Sequence, residues 1–148
     1  MISIPKNYSD WVKVLELLKN KSDDAEVLNA IKAGTIEWQT GVAERFLKRL
    51  TDSVNFRLNN ATDKFQKEIA RSGAEYNIVQ SIINLRKELI FLSQVVDLPA
   101  IPEKPRSQLV SMILEQANNI QNSLENSASK DRSGKLSSII RNNKVNSF

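Results

Sequence analysis

Two long apolar stripes constrain this chain more than any other feature of its sequence. Ile78, Ile82, Leu85, Leu89, Leu92 and Val96 follow one another at spacings of 4-3-4-3-4, the rhythm that keeps one face of a helix against a partner. Upstream, Ala43, Leu47, Leu50, Val54, Leu58, Ala61, Phe65 and Ile69 are spaced 4-3-4-4-3-4-4. That is an eleven-residue pattern, which holds a stripe in register without strong left-handed supercoiling. Val79, Ile83 and Ile90 lie beside the later stripe and make it broader than a two-stranded zipper needs, which suits a bundle interior. Between the stripes, Ser72-x-x-Glu75 with Gly73 reads as a helix restart. The pattern predicts an all-α fold: a helical bundle centred on a long antiparallel hairpin of two helices, one ending near Arg71 and one over about 74–96.

Shorter elements flank this hairpin. Trp11, Val14, Leu15 and Leu18 fall at i, i+3, i+4 and i+7, one face of a helix that Ser9 would cap, with Asp10 complementing the helix dipole. Asp23-x-x-Glu26 reads as a capping box for a second helix with Val27, Leu28 and Ile31 inward, and Gly34 is suited to end it. The third helix starts between Thr35 and Gly41. On its outer face Glu44/Lys48 and Asp63/Lys67 stand in the favourable acid-first i, i+4 order. Pro99, Pro102 and Pro105 end the fourth helix and place an extended linker over 97–106. A fifth helix follows to about Glu125, with Val110, Ile113, Ala117, Ile120 and Leu124 on one face and Asn, Gln and Ser on the others. One domain is expected over 1–126.

Charge separates the remainder from this body. Residues 127–148 hold Lys130, Arg132, Lys135, Arg141 and Lys144 against Asp131 alone, and so carry the whole net charge of +4. Their Ser, Asn and Lys content predicts a flexible, basic C-terminal tail. Within it Leu136, Ile139 and Ile140 follow Gly134 at i, i+3 and i+4, a pattern that can fold as a short amphipathic helix on a partner. The five basic side chains are candidate phosphate or partner contacts, though four net charges neutralise only a few phosphates.

The chain has no Cys and no His, which excludes disulfides, thiolate nucleophiles and zinc–thiolate sites together with the commonest general base. No remaining set of Asp, Glu, Lys, Tyr or Ser forms a catalytic constellation, and no cofactor or small-molecule substrate is expected. Asp23, Asp24 and Glu26 lack the alternation and distal Glu of a calcium loop, and helix capping accounts for them. Met1 to Lys6 lacks the features of a signal peptide. The apolar run 78–98 is interrupted by Arg86-Lys87-Glu88, so no membrane span is expected and the cytoplasm is the expected address.

Three aromatic residues stand out. Trp11 and Trp38 lie near helix starts, where a ring packs over a bundle end. Phe56 lies off the principal stripe between Asn55 and Arg57, which makes it the best single interface candidate. The third helix, about 45 Å long at 1.5 Å per residue, exceeds what its shorter neighbours cover. The sequence reading is therefore a non-enzymatic adaptor, scaffold or regulator acting through protein contacts, with itself as a homodimer or with another protein. The alternative is a nucleic-acid-associated protein whose tail contacts phosphate.

Overall fold

The structure, a computed structural model, describes residues 2–35, 41–71, 75–98, 101–128 and 134–148. It is all-α. Among the described residues there are six helices and no strand: α1 (Tyr8–Lys19), α2 (Asp24–Ala33), α3 (Val42–Arg71), α4 (Glu75–Val96), α5 (Glu103–Ala128) and α6 (Lys135–Asn142). They form two compact helical units, Met1–Leu58 with Leu92–Val110, and Asn59–Phe91 with Ser111–Phe148. The divisions fall within α3, α4 and α5. Ser72, Gly73, Trp38 and Pro99 lie outside the described residues.

In the first unit α1 begins two residues earlier than its sequence suggests. Asn7, extended at φ −129°, is the N-cap, and its side-chain oxygen accepts the Asp10 N–H at 2.9 Å. The Asp10 carboxylate in turn accepts the Lys6 N–H at 3.2 Å. Asn caps as well as Ser, and the added residues bring Tyr8 into the first turn. The expected face of Trp11, Val14, Leu15 and Leu18 is buried throughout. The helix closes with the Lys21 N–H on the Leu18 carbonyl and the Ser22 N–H on the Leu17 carbonyl. This is a Schellman turn with Lys21, at φ 57°, in the left-handed position.

Asp23 caps α2 as its spacing indicates, accepting the Glu26 N–H at 3.2 Å. Gly34 ends α2 for a different reason from the expected one. Its backbone is extended (φ −70°, ψ 157°), so no left-handed turn requires glycine. A β-carbon here would stand 2.6 Å from Cζ2 of Trp11 and 2.8 Å from Cγ of Pro5. The indole is itself held by a 2.8 Å bond from Nε1 to the Thr35 carbonyl. Gly34 is there so that chain and ring can approach.

The stripe of α3 is also broader than the spacing implied. Leu50, Val54, Leu58 and Phe65 are buried, Ala43, Leu47, Ala61 and Ile69 are half-buried, and Phe46 and Arg57 join the interior. The Arg57 guanidinium, 2% exposed, makes a two-pronged pair with Asp24, Nη1–Oδ1 at 2.8 Å and Nη2–Oδ2 at 2.9 Å. Nη1 also donates to the Leu18 carbonyl at 3.2 Å. One side chain of α3 thereby holds the end of α1 and the start of α2. Leu92, Val95, Val96, Leu98, Ile101 and Leu109 complete the buried set of this unit.

The expected linker is shorter than its three prolines imply. Helix α5 begins at Glu103, and Pro105 sits inside its first turn. A first-turn N–H has no intrahelical acceptor, so a proline there removes no helix bond. Leu98 and Ile101 are both buried.

In the second unit the interior is Phe65, Ile82, Leu85, Leu89, Ile113, Ala117, Ile120, Leu124, Ala128, Ile140 and Val145. The last two come from the segment expected to be flexible. Gly134, at φ 75°, leads into α6, and Ile140 and Val145 are 1% and 0% exposed. The Asn and Gln residues that make α5 read as a weak helix hold this segment. Gln121 accepts the Val145 N–H at 3.0 Å, and Asn118 accepts from Asn146 at 2.8 Å. Arg86 of α4 donates to the Lys144 carbonyl at 3.1 Å. Among the described residues every buried side-chain nitrogen or oxygen has a hydrogen-bond partner.

Three stability outcomes follow from the first unit. Gly34→Ala is expected to destabilise the protein by about 1–3 kcal/mol through overpacking, measured by chemical denaturation. Asp24→Ala, which leaves a buried guanidinium without its carboxylate, is expected to cost about 2–4 kcal/mol. The double variant Asp24→Leu/Arg57→Met is expected to be more stable than Asp24→Ala alone.

Candidate protein-contact surface

Two facing helix stripes of the first unit border an open cleft on its surface. On α1, Tyr8, Leu15, Glu16 and Lys19 recur at i, i+7, i+8 and i+11. On α3, Arg45, Lys48, Arg49 and Asp52 recur at i, i+3, i+4 and i+7. Both series follow the 3.6-residue period and mark one helix face each. These residues, with Ser53, line an open cleft of about 370 Å³.

The packing beneath fixes which side chains line it. Trp11 and Phe46 meet edge-to-face, centroids 5.0 Å apart at 72°, a favoured aromatic geometry. With Phe46 turned inward, Arg45 and Arg49 stand at the margin. Arg49 Nε donates to Tyr8 Oη at 2.9 Å, across one end of the cleft. At the other end, Lys19 Nζ lies 4.8 Å from the centroid of the Phe56 ring, within cation–π range.

Phe56 continues the α3 stripe at i+11 from Arg45 and is 43% exposed. Its exposure has a local cause: Phe56 lies two positions from each of the buried Val54 and Leu58, and so on the opposite side of the helix from both. The residue singled out as an interface candidate therefore stands on the surface, at the rim of the cleft, with a cation on its ring.

The other sequence candidates lie in the second unit and come together less. Lys130 and Arg132 are outside the described residues, as is the side chain of Lys135. Arg141 and Lys144 are exposed, and Arg141 borders a separate cleft of about 320 Å³ with Glu125, Ala128, Ser137 and Ile140. Ile140 is buried in its own unit, while Leu136 and Ile139 are half-buried. Of the two tryptophans, Trp11 is core at 3% exposure and Trp38 lies outside the described residues.

Tyr8, Arg45, Lys48, Arg49 and Asp52 were not distinguishable in the sequence. Charges at helical spacing ordinarily mark a solvated face, and only the neighbouring α1 stripe turns this one into a cleft. The side chains present are cations, two carboxylates and a phenol, suited to binding by charge and hydrogen bonds. Among the described residues no cluster of three or more Asp or Glu side chains is arranged to hold a metal ion, and no helix is long and apolar enough to cross a membrane. No protein-family model, no curated protein and no solved structure matches the chain.

Core and rim residues of α3 should separate cleanly in stability measurements. Phe46→Ala is expected to cost about 3–5 kcal/mol, whereas Phe56→Ala is expected to cost less than about 1 kcal/mol. Thermal or denaturant unfolding of the two variants checks this.

Proposed function

We propose that the chain is a non-enzymatic helical contact module, an adaptor, scaffold or regulator that works in the cytoplasm by binding protein, a second copy of itself included. The observation that carries this reading is Phe56, a large aromatic side chain left 43% exposed at the rim of a charged cleft. Such a ring, bordered by polar groups, has the make-up of an interface anchor. In this reading the stripes of α3 and α4 form an antiparallel hairpin that serves as the rigid support. The Ser81 hydroxyl of α4, which donates to Glu68 of α3 at 2.7 Å, is consistent with it.

Sedimentation of the purified protein and affinity capture from its native host test this reading, each with wild type and Phe56→Glu. The expected result is either concentration-dependent self-association or a defined protein retained by wild type, lost in both cases with Phe56→Glu at unchanged helicity. A protein that stays monomeric and retains no species sensitive to Phe56 overturns it.

A further inference from the structure

Resting on that reading, we propose that the cleft between α1 and α3 takes an acidic, partly apolar segment of a protein partner. Its carboxylates would lie against Arg45, Lys48 and Arg49 and an apolar side chain against Phe56. The charge of the cleft points to this occupant. Lys19, Arg45, Lys48 and Arg49 face Glu16 and Asp52, four cations against two carboxylates, a net +2. Residues 1–126 as a whole are neutral, so this is a local excess of positive charge on a balanced surface. Complementary charge of this kind steers encounter and fixes register.

The two carboxylates also discriminate between anionic partners. A nucleic-acid strand carries a charge every 3.4 Å or so along its length and would bring phosphate against Glu16 and Asp52. A peptide places its carboxylates at chosen residues and leaves apolar or neutral ones opposite those two. Phe56 supplies the apolar part of the contact, its ring 43% exposed with Lys19 Nζ 4.8 Å from the centroid. Arg49 is already held by Tyr8, so part of the cationic wall is pre-ordered, which lessens the entropy lost on binding.

The experiment is selection of short random peptides displayed on yeast against the full chain, followed by anisotropy titration of the enriched peptides. Single-stranded oligothymidylate is titrated in parallel. The variants are Phe56→Ala, Arg45→Glu/Lys48→Glu and, as a control with the same change of net charge, Arg141→Glu/Lys144→Glu. Circular dichroism confirms that each is folded. The expected result is enrichment of peptides rich in Asp or Glu with an apolar residue nearby. Their affinity should fall at least about tenfold with either cleft variant, weaken with salt, and stay within about twofold of wild type in the control.

Phe56-dependent peptides with no acidic bias and no response to Arg45→Glu/Lys48→Glu overturn the inference while leaving the protein-contact reading in place. Absence of Phe56-dependent peptides overturns it too, and the sedimentation and capture experiments then decide the broader reading separately. Oligothymidylate binding that is lost with the cleft variant and exceeds peptide binding assigns the cleft to nucleic acid and overturns the inference. Loss of peptide binding in the control alone moves the site to the C-terminal segment and does the same.

Discussion

The buried pair of Arg57 and Asp24 is the interaction on which the first unit depends. An isolated guanidinium in a protein interior is strongly unfavourable, and only a carboxylate with further hydrogen-bond acceptors offsets the lost hydration. Here the two prongs to Asp24 and the bond to the Leu18 carbonyl meet that requirement in a single geometry. Three helices must arrive together for it to form. Because planar, two-pronged recognition is directional, the pair also sets the rotation of α3 about its axis, and with it the side chains that face water.

That rotation links the interior to the surface. With Val54, Arg57 and Leu58 inward, Phe56 falls outward, and the same helical phase carries Asp52, Lys48, Arg49 and Arg45 along one edge of α3. The turn after α1, with Lys21 in a left-handed conformation, places Asp23 to cap α2 and Asp24 to meet Arg57. A strained backbone position, a cap and a buried ion pair thus converge within a few residues and define the cleft at a distance.

The all-α class, the inward face of α1 and the cap of α2 were legible in the sequence because each rests on local spacing. Trp11, Val14, Leu15 and Leu18 needed only a 3.6-residue period, and Asp23 only its offset from Glu26. Arg57 was not legible, since a charged residue in a helix is read as exposed until its partner is known, and Asp24 lies 33 positions away. Phe46 escaped because it falls one position beside the 4-3-4 stripe, on the side that α1 covers. Pro105 misled through its usual meaning, which the first helical turn suspends. The C-terminal segment misled through composition: its Asn and Ser content suggested an unpacked chain, yet Asn146, Asn118 and Gln121 are its attachments. Of the contact surface, Phe56 was legible as an off-stripe aromatic. The cleft beside it was not, being a product of two helices brought together by groups far apart in sequence.

The insertion of Val145 beside Gln121 has a consequence for the order in which the chain matures during synthesis. The first unit has all of its segments once Val110 has emerged, and can then close its ion pair and its aromatic contact. The second lacks the buried Ile140 and Val145 until later. A growing chain emerging at several residues per second passes through a stage with one unit complete and the other still open. In that interval the Gln121 carbonyl oxygen is without the Val145 N–H that it accepts in the finished fold.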